Sequence, residues 1–203
     1  MKKLILDIKK LKKDKKLNEE IKQRIREFES FNKKSDKKWF SELCFCILTA
    51  NSSATLCMKI QKEAEKENAC IRFSKGKISS FLKKSGYRFY NKRAEYIIKA
   101  RKFIDVKRHI RQNDKEAREW LVSNIKGLGW KEASHFLRNT GRKNVAIIDR
   151  HILRVLGEKA GTLNEKNYLR IEEKLKRIAD SVALNLAELD LYRWSTQTGK
   201  VLK

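Results

Sequence analysis

Two ionisable residues in the second half of the chain stand where chemistry could be done. Lys131 follows Ile125-Lys126-Gly127-Leu128-Gly129-Trp130, and Asp149 comes eighteen residues later, after the apolar run Val145-Ala146-Ile147-Ile148. A lysine in the first turn of a helix beginning near Trp130 faces the positive end of the helix dipole, which favours the free amine over the ammonium. A free amine is the form a Schiff-base nucleophile needs. The plain alternative is that Lys131 is simply hydrated, since about a quarter of the chain is basic. Asp149 precedes a helix expected over Arg150 to Leu156 and suits its N-cap. A carboxylate held at that helix mouth can also stabilise developing positive charge or activate a nucleophile. Neither role excludes the other.

The segment between these residues must position them. Gly127 and Gly129 flank Leu128 between two helical stretches, which reads as a helix-hairpin-helix with Leu128 plugged inward. The glycines are expected to leave backbone N–H groups uncovered beside a positive helix end, an anion site suited to a DNA phosphate. Such a contact grips the backbone without reading sequence.

The whole chain supports a polyanionic partner. Its 203 residues carry 50 Lys and Arg against 25 Asp and Glu, a formal charge of +25. That excess opposes compactness unless a polyanion neutralises it, so nucleic acid is expected. A membrane surface fits less well, because no single helix concentrates charge opposite a greasy face. The longest purely apolar run, Leu43 to Leu48, is six residues and far short of a bilayer span. Lysines interrupt the N-terminal apolar residues, unlike a secretory signal. Cys44, Cys46, Cys57 and Cys70 form no Cys-x-x-Cys pair and have no histidine near them in sequence. No metal and no cofactor are expected, and the thiols read as free and buried in a reducing, cytoplasmic, nucleoid-associated protein.

Helical periodicity runs through nearly everything, and the chain has no proline. An all-α fold is expected. Leu4, Ile5, Ile8 and Leu11 stripe a first helix over 1–16, and Asn18 is placed to cap the next, with Ile21, Ile25 and Phe28 on its buried face. Ser35 is placed to cap a helix that is apolar around most of its circumference. That helix stops at Thr49-Ala50-Asn51-Ser52-Ser53, either an ordinary connector or a loop held rigidly against a partner. Gly86 ends a helix containing Ile78, Phe81 and Leu82. Tyr87-Arg88-Phe89-Tyr90 then reads as a loop, either core-edge packing or a stacking platform for a base. Further helices are expected over 91–104, after a cap at Asp114, through Tyr168 to Ile178, and from Asn185 to a stop at Gly199. Val201 and Leu202 suggest a docked terminus.

The stretch from Ile125 to His151 resembles the helix-hairpin-helix DNA glycosylase superfamily. Lys131 stands at the catalytic lysine of its bifunctional members and Asp149, in Ala-Ile-Ile-Asp-Arg-His-Ile, at the essential aspartate. Phe45 to Asn51, Arg88 to Tyr96, Lys131 to Asn139 and Thr198 to Lys203 are similar to the archaeal-type 8-oxoguanine DNA glycosylase/AP lyase branch, so the resemblance covers most of the chain. It implies two helical lobes, one over 36–135 and the other from 1–35 plus 136–203, with an active-site cleft between them. It implies a monomer acting on double-stranded DNA that contains 8-oxoguanine. Lys131 and Asp149 would be catalytic, Phe89 and Trp194 would sandwich a flipped base, and Lys203 would help distinguish it. Asn51 would fill the gap in the duplex, while Lys126, Gly127, Gly129, Arg150 and His151 would touch DNA. An acceptor facing N7-H of the lesion, a carbonyl or the terminal carboxylate, would favour it over guanine.

Two departures stand out. Lys126 occupies a place where many superfamily hairpins carry proline, and the four-cysteine C-terminal iron–sulfur loop of endonuclease III is absent. A noncatalytic helix-hairpin-helix module, or a glycosylase for another oxidised base, remain the alternatives.

Overall fold

The computed structural model describes residues 2–159, 161, 163–201 and 203, with Gln197 and Thr198 described through their backbone alone. Among the described residues there are helices and no strands. The first eight helices are α1 (Lys2–Leu11), α2 (Lys15–Ser30), α3 (Asp36–Thr49), α4 (Ala54–Lys66), α5 (Ala69–Arg72), α6 (Lys75–Lys84), α7 (Tyr90–Ala100) and α8 (Val106–His109). Those that follow among the described residues are α9 (Asp114–Asn124), α10 (Trp130–Asn139), α11 (Arg150–Leu156), α12 (Glu165–Ser181) and α13 (Leu186–Thr198). No helix of the described residues is long and apolar enough to cross a membrane.

The chain divides into two compact units, Lys33–Phe136 and Met1–Asn32 with Leu137–Lys203. In the first, α3 is the central element, packed against α4, α7 and α8. Every residue from Leu43 to Leu48 is buried, as are Trp39 and Phe40. Burial of large apolar side chains contributes roughly 1.5–3 kcal/mol each, which makes α3 the anchor of this unit. In the second unit α13 packs against α1, α2 and α12. Its core includes Ile8, Ile21, Tyr168, Ile171 and Leu191.

Several helix starts differ from the sequence expectation. The N-terminal stripe breaks at Leu11, and Asp14, not Asn18, caps α2 by accepting from the Leu17 N–H at 3.1 Å. Asn18 is instead spent on tertiary bonds: its amide donates to the Lys12 carbonyl and its Oδ1 accepts from the Tyr192 hydroxyl at 2.6 Å. Asn113, one residue earlier than Asp114, caps α9. Ser35 takes the extended N-cap conformation of α3 without a side-chain cap bond. The helix expected over 91–104 starts at Tyr90, and its α-helical part ends at Ala100 before a 3-10 turn over Arg101–Phe103. Asp and Asn cap equally well, so local sequence does not choose between neighbours; tertiary partners do.

Cys44, Cys46 and Cys57 are buried, Cys70 is half-buried, and none is in a disulfide. Burial pushes the Cys44 thiol well above its ordinary value. Near the C-terminus, Arg24 donates to the Val201 carbonyl at 3.3 Å, while Leu202 lies outside the described residues.

Candidate active site

In the unit Lys33–Phe136, α9 and α10 are joined by Ile125 to Gly129, forming the expected hairpin. Leu128 is buried, and its N–H donates to the Ile125 carbonyl at 3.2 Å, closing the turn. Lys126 is exposed beside it. Gly127 has φ +95°, and a Cβ built there would clash with the edge of the Tyr96 ring. The lack of a side chain at Gly127 therefore admits Tyr96, a packing role that local sequence did not reveal.

Gly129 stands at the N-cap of α10, where its carbonyl accepts from the Ala133 N–H at 2.9 Å. Its own N–H donates to Glu132 Oε2 at 3.2 Å. The Gly129 N–H, expected to be uncovered, is therefore taken by a carboxylate of the protein. The other oxygen of Glu132 lies 3.0 Å from Lys131 Nζ. The lysine side chain is 34% exposed and that of Glu132 only 11%, so the amine is reachable while its partner is enclosed. Sequence reasoning missed Glu132. Its signal was present, since a glutamate three residues after an N-cap is the capping-box spacing.

Asp149, in the other unit and itself extended, follows a segment held by hydrogen bonds. Val145, Ala146 and Ile148 are buried. The Ala146 N–H donates to Glu172 Oε1 at 2.7 Å, the Tyr168 hydroxyl donates to the Ala146 carbonyl at 2.7 Å, and the Ile148 N–H donates to that hydroxyl at 3.2 Å. Two side chains of α12 thus take the place of a neighbouring strand, and backbone groups that could not remain buried alone are satisfied. Asp149 then caps α11: Oδ1 accepts from the His151 and Ile152 N–H groups at 2.9 and 2.8 Å.

A charge cluster surrounds this cap. Arg193 Nη1 lies 3.7 Å from Asp149 Oδ1, and Arg138 Nη1 lies 3.6 Å from Asp190 Oδ2. Arg138 and Arg193 are each 3% exposed. Burial raises the Asp190 carboxyl above its ordinary value, with Asp149 adding to the effect while Arg138 and Arg193 oppose it. Nothing in the local sequence marked Asp190 or Arg193, which reach this place through the fold of α13.

Asn51, Phe89, Lys126, Gly127, Gly129 and Lys131 fall in the unit Lys33–Phe136, and Asp149, Arg150, His151, Trp194 and Lys203 in the other. Asn51 is exposed at the turn after α3 with φ +60°. Phe89 is half-buried at the start of α7, with the Arg88 guanidinium 4.4 Å from its ring centre. Tyr87, by contrast, is buried, and its hydroxyl donates to the Leu48 carbonyl at 2.6 Å. It belongs to the core and not to a stacking platform. Trp194 is half-buried on α13, directly after Arg193. Arg150 is exposed and His151 half-buried in the first turn of α11; Lys203 is half-buried. No group of three His, Cys, Asp or Glu that could hold a metal occurs among the described residues.

Comparison with known proteins places this geometry in context. Residues 21–184 match a family model described as 8-oxoguanine DNA glycosylase, a span that includes both Lys131 and Asp149. The chain is 52% identical over 198 residues to an 8-oxoguanine DNA glycosylase/AP lyase from Methanocaldococcus jannaschii, covering 92% of this chain and 95% of that protein. It is 44% identical to one from Korarchaeum cryptofilum, with 98% of each chain covered. The crystal structure of the Methanocaldococcus jannaschii 8-oxoguanine glycosylase/lyase in complex with 15mer DNA containing 8-oxoguanine matches with a TM-score of 0.94 at 50% identity, over 98% of this chain and 99% of that one. The 8-oxoguanine DNA glycosylase of Thermotoga maritima matches with a TM-score of 0.93 at 36% identity, over the full length of both chains.

Proposed function

The chain belongs to the 8-oxoguanine DNA glycosylase family, and from that premise we propose that it excises 8-oxoguanine from duplex DNA and cleaves the resulting strand as an AP lyase. The observation that carries this reading is a reachable lysine amine one residue inside the helix of a hairpin, in a chain whose family match spans that hairpin and Asp149.

The target nucleotide is flipped from the helix, because its C1′ is blocked inside a duplex. Lys131, having left Glu132 and lost its proton, attacks C1′; the C1′–N9 bond breaks and the base leaves with the bonding electrons and a proton. The sugar ring then opens: the nitrogen lone pair forms the C1′=N Schiff base, and O4′ departs with the C1′–O4′ electrons and is protonated. Removal of a proton from C2′ drives β-elimination, which breaks the bond between C3′ and its phosphate oxygen, and water releases Lys131. Asp149 stabilises the oxocarbenium-like charge, the type of electrostatic role that dominates many enzymatic barriers. Its Oδ1 is taken by the cap bonds and Arg193, which leaves Oδ2 to face the reaction.

Phe89 and Trp194 sandwich the flipped base, Lys203 helps discriminate it, and Asn51 fills the vacated place in the duplex. Lys126, Gly127, Arg150 and His151 hold the DNA backbone, joined by Gly129 once phosphate displaces Glu132 from its N–H, and the protein acts as a monomer. Borohydride trapping on duplex bearing 8-oxoguanine opposite cytosine tests the reading. The parent protein should give a covalent adduct that Lys131→Gln abolishes while retaining DNA binding. Binding without any adduct from the parent protein sinks the enzymatic reading, and stronger trapping on another oxidised base corrects the substrate.

A further inference from the structure

Asn51 is exposed and held with φ +60°, a conformation that Asn tolerates better than most residues but that surrounding structure must maintain. The carbonyls just before it are pinned from α7 and the residues preceding it. Arg93 Nη2 donates to the Ala50 carbonyl at 2.9 Å, and the Tyr87 hydroxyl donates to the Leu48 carbonyl at 2.6 Å. Arg93 Nε in turn donates to the Tyr87 hydroxyl at 3.4 Å, linking the two clamps. Arg93 is only 9% exposed and Tyr87 2%.

The same guanidinium lies 5.4 Å from the centre of the Tyr96 ring, and that ring fills the space left by Gly127 in the hairpin. One buried cation therefore ties the turn that presents Asn51 to the aromatic that seats the hairpin. A simple helix connector needs neither contact. A buried guanidinium is costly unless its donors are used, and here Nη2 is spent on the Ala50 carbonyl just after α3 and Nε on the Tyr87 hydroxyl.

We propose that Arg93, acting with Tyr87, is a positioning residue that holds Asn51 in register with the hairpin so that it enters the duplex as the lesion leaves. The proposal rests on the reading of Asn51 as the residue that fills the vacated place. Removing the clamp lets the turn relax to an ordinary conformation, and misplacing Asn51 by about 1 Å is enough to cost roughly ten- to hundredfold in turnover.

The test compares two substrates for Tyr87→Phe, which removes one oxygen, and Arg93→Met, which keeps the length of the stem without its donors. Base release is measured on duplex bearing 8-oxoguanine opposite cytosine, and strand cleavage on a single strand carrying an abasic site, where no gap needs filling. Both variants should lose roughly tenfold or more on the duplex while single-strand cleavage stays within about twofold; Arg93→Lys, which can still donate to Ala50, should recover part of the loss. Asn51→Ala is the reference. If it loses duplex activity while Tyr87→Phe and Arg93→Met do not, Asn51 keeps its role and the clamp is overturned. If Asn51→Ala is itself without effect on the duplex, the gap-filling reading fails and the proposal falls with it. Equal losses on both substrates, tracking a lower Tm, reduce the clamp to general stability and also overturn it.

Discussion

Arg193 places Nη1 3.7 Å from the Asp149 oxygen that already accepts two backbone N–H groups of α11. One carboxylate oxygen thus serves the fold, and the proposed chemistry would fall to the other. Asp149→Asn should keep the cap, because an amide oxygen accepts the same bonds. DNA binding should persist while base release falls by about 10²–10⁴-fold, the range of positioned charge and proton transfer. Asp149→Ala should in addition lose about 1 kcal/mol of stability with the cap. Single-turnover base release and thermal melting separate the two effects; unchanged turnover in Asp149→Asn would leave this aspartate as a cap alone.

Glu132 occupies the Gly129 N–H and pairs with Lys131. Glu132→Gln keeps an oxygen for the N–H but removes a negative charge from beside the expected phosphate path. Duplex binding at low salt should tighten about two- to fivefold, the scale of one partly screened charge. The gain should shrink as salt rises. Fluorescence anisotropy across a salt series reads this, and equal affinities would mean that the carboxylate does not oppose the phosphate.

At Gly127 both the positive φ and the Tyr96 ring exclude a side chain. Gly127→Ala should lower stability by about 1–3 kcal/mol. Adding Tyr96→Ala should relieve the steric part, so the double variant should be more stable than the sum of the single losses. Chemical denaturation of the four proteins tests the cycle, and strict additivity would refute the contact.

Asp190 and Glu158 have opposite pH signatures. Burial holds the Asp190 carboxyl above 3.8, so the folded chain binds more protons than the unfolded chain just above that pH, and stability falls as pH rises through this window. Asp149, Arg138 and Arg193 face it, and Asp190→Asn should abolish that decline. Glu158, hydrogen-bonded by Arg170 and Lys174, is lowered from 4.5 to about 2. Its contribution is present above 4.5 and is lost as pH falls toward 2, so Glu158→Gln should flatten acid destabilisation over that interval. Melting temperatures from pH 2 to 7 follow both, with added salt weakening the half-buried Glu158 cluster through its more accessible partners Arg170 and Lys174.

The sequence by itself was enough for the all-helical fold, the glycine hairpin, the buried α3 and the cap at Asp149. These are local or periodic properties: a repeat near 3.6 residues, a glycine with positive φ and a carboxylate before a helix act over a few residues. Even there it named Asn18 where Asp14 caps and Asp114 where Asn113 does, because nearby polar residues cap equally well. The tertiary structure decided where buried polar groups find partners. It joined Arg193 to Asp149 across 44 positions, set Tyr168 and Glu172 against the segment before that aspartate, put Tyr87 in the core and Arg93 on the Ala50 carbonyl, and placed Tyr96 over Gly127. A buried donor must be satisfied, but the sequence does not say by which distant acceptor; only the packed chain makes that choice.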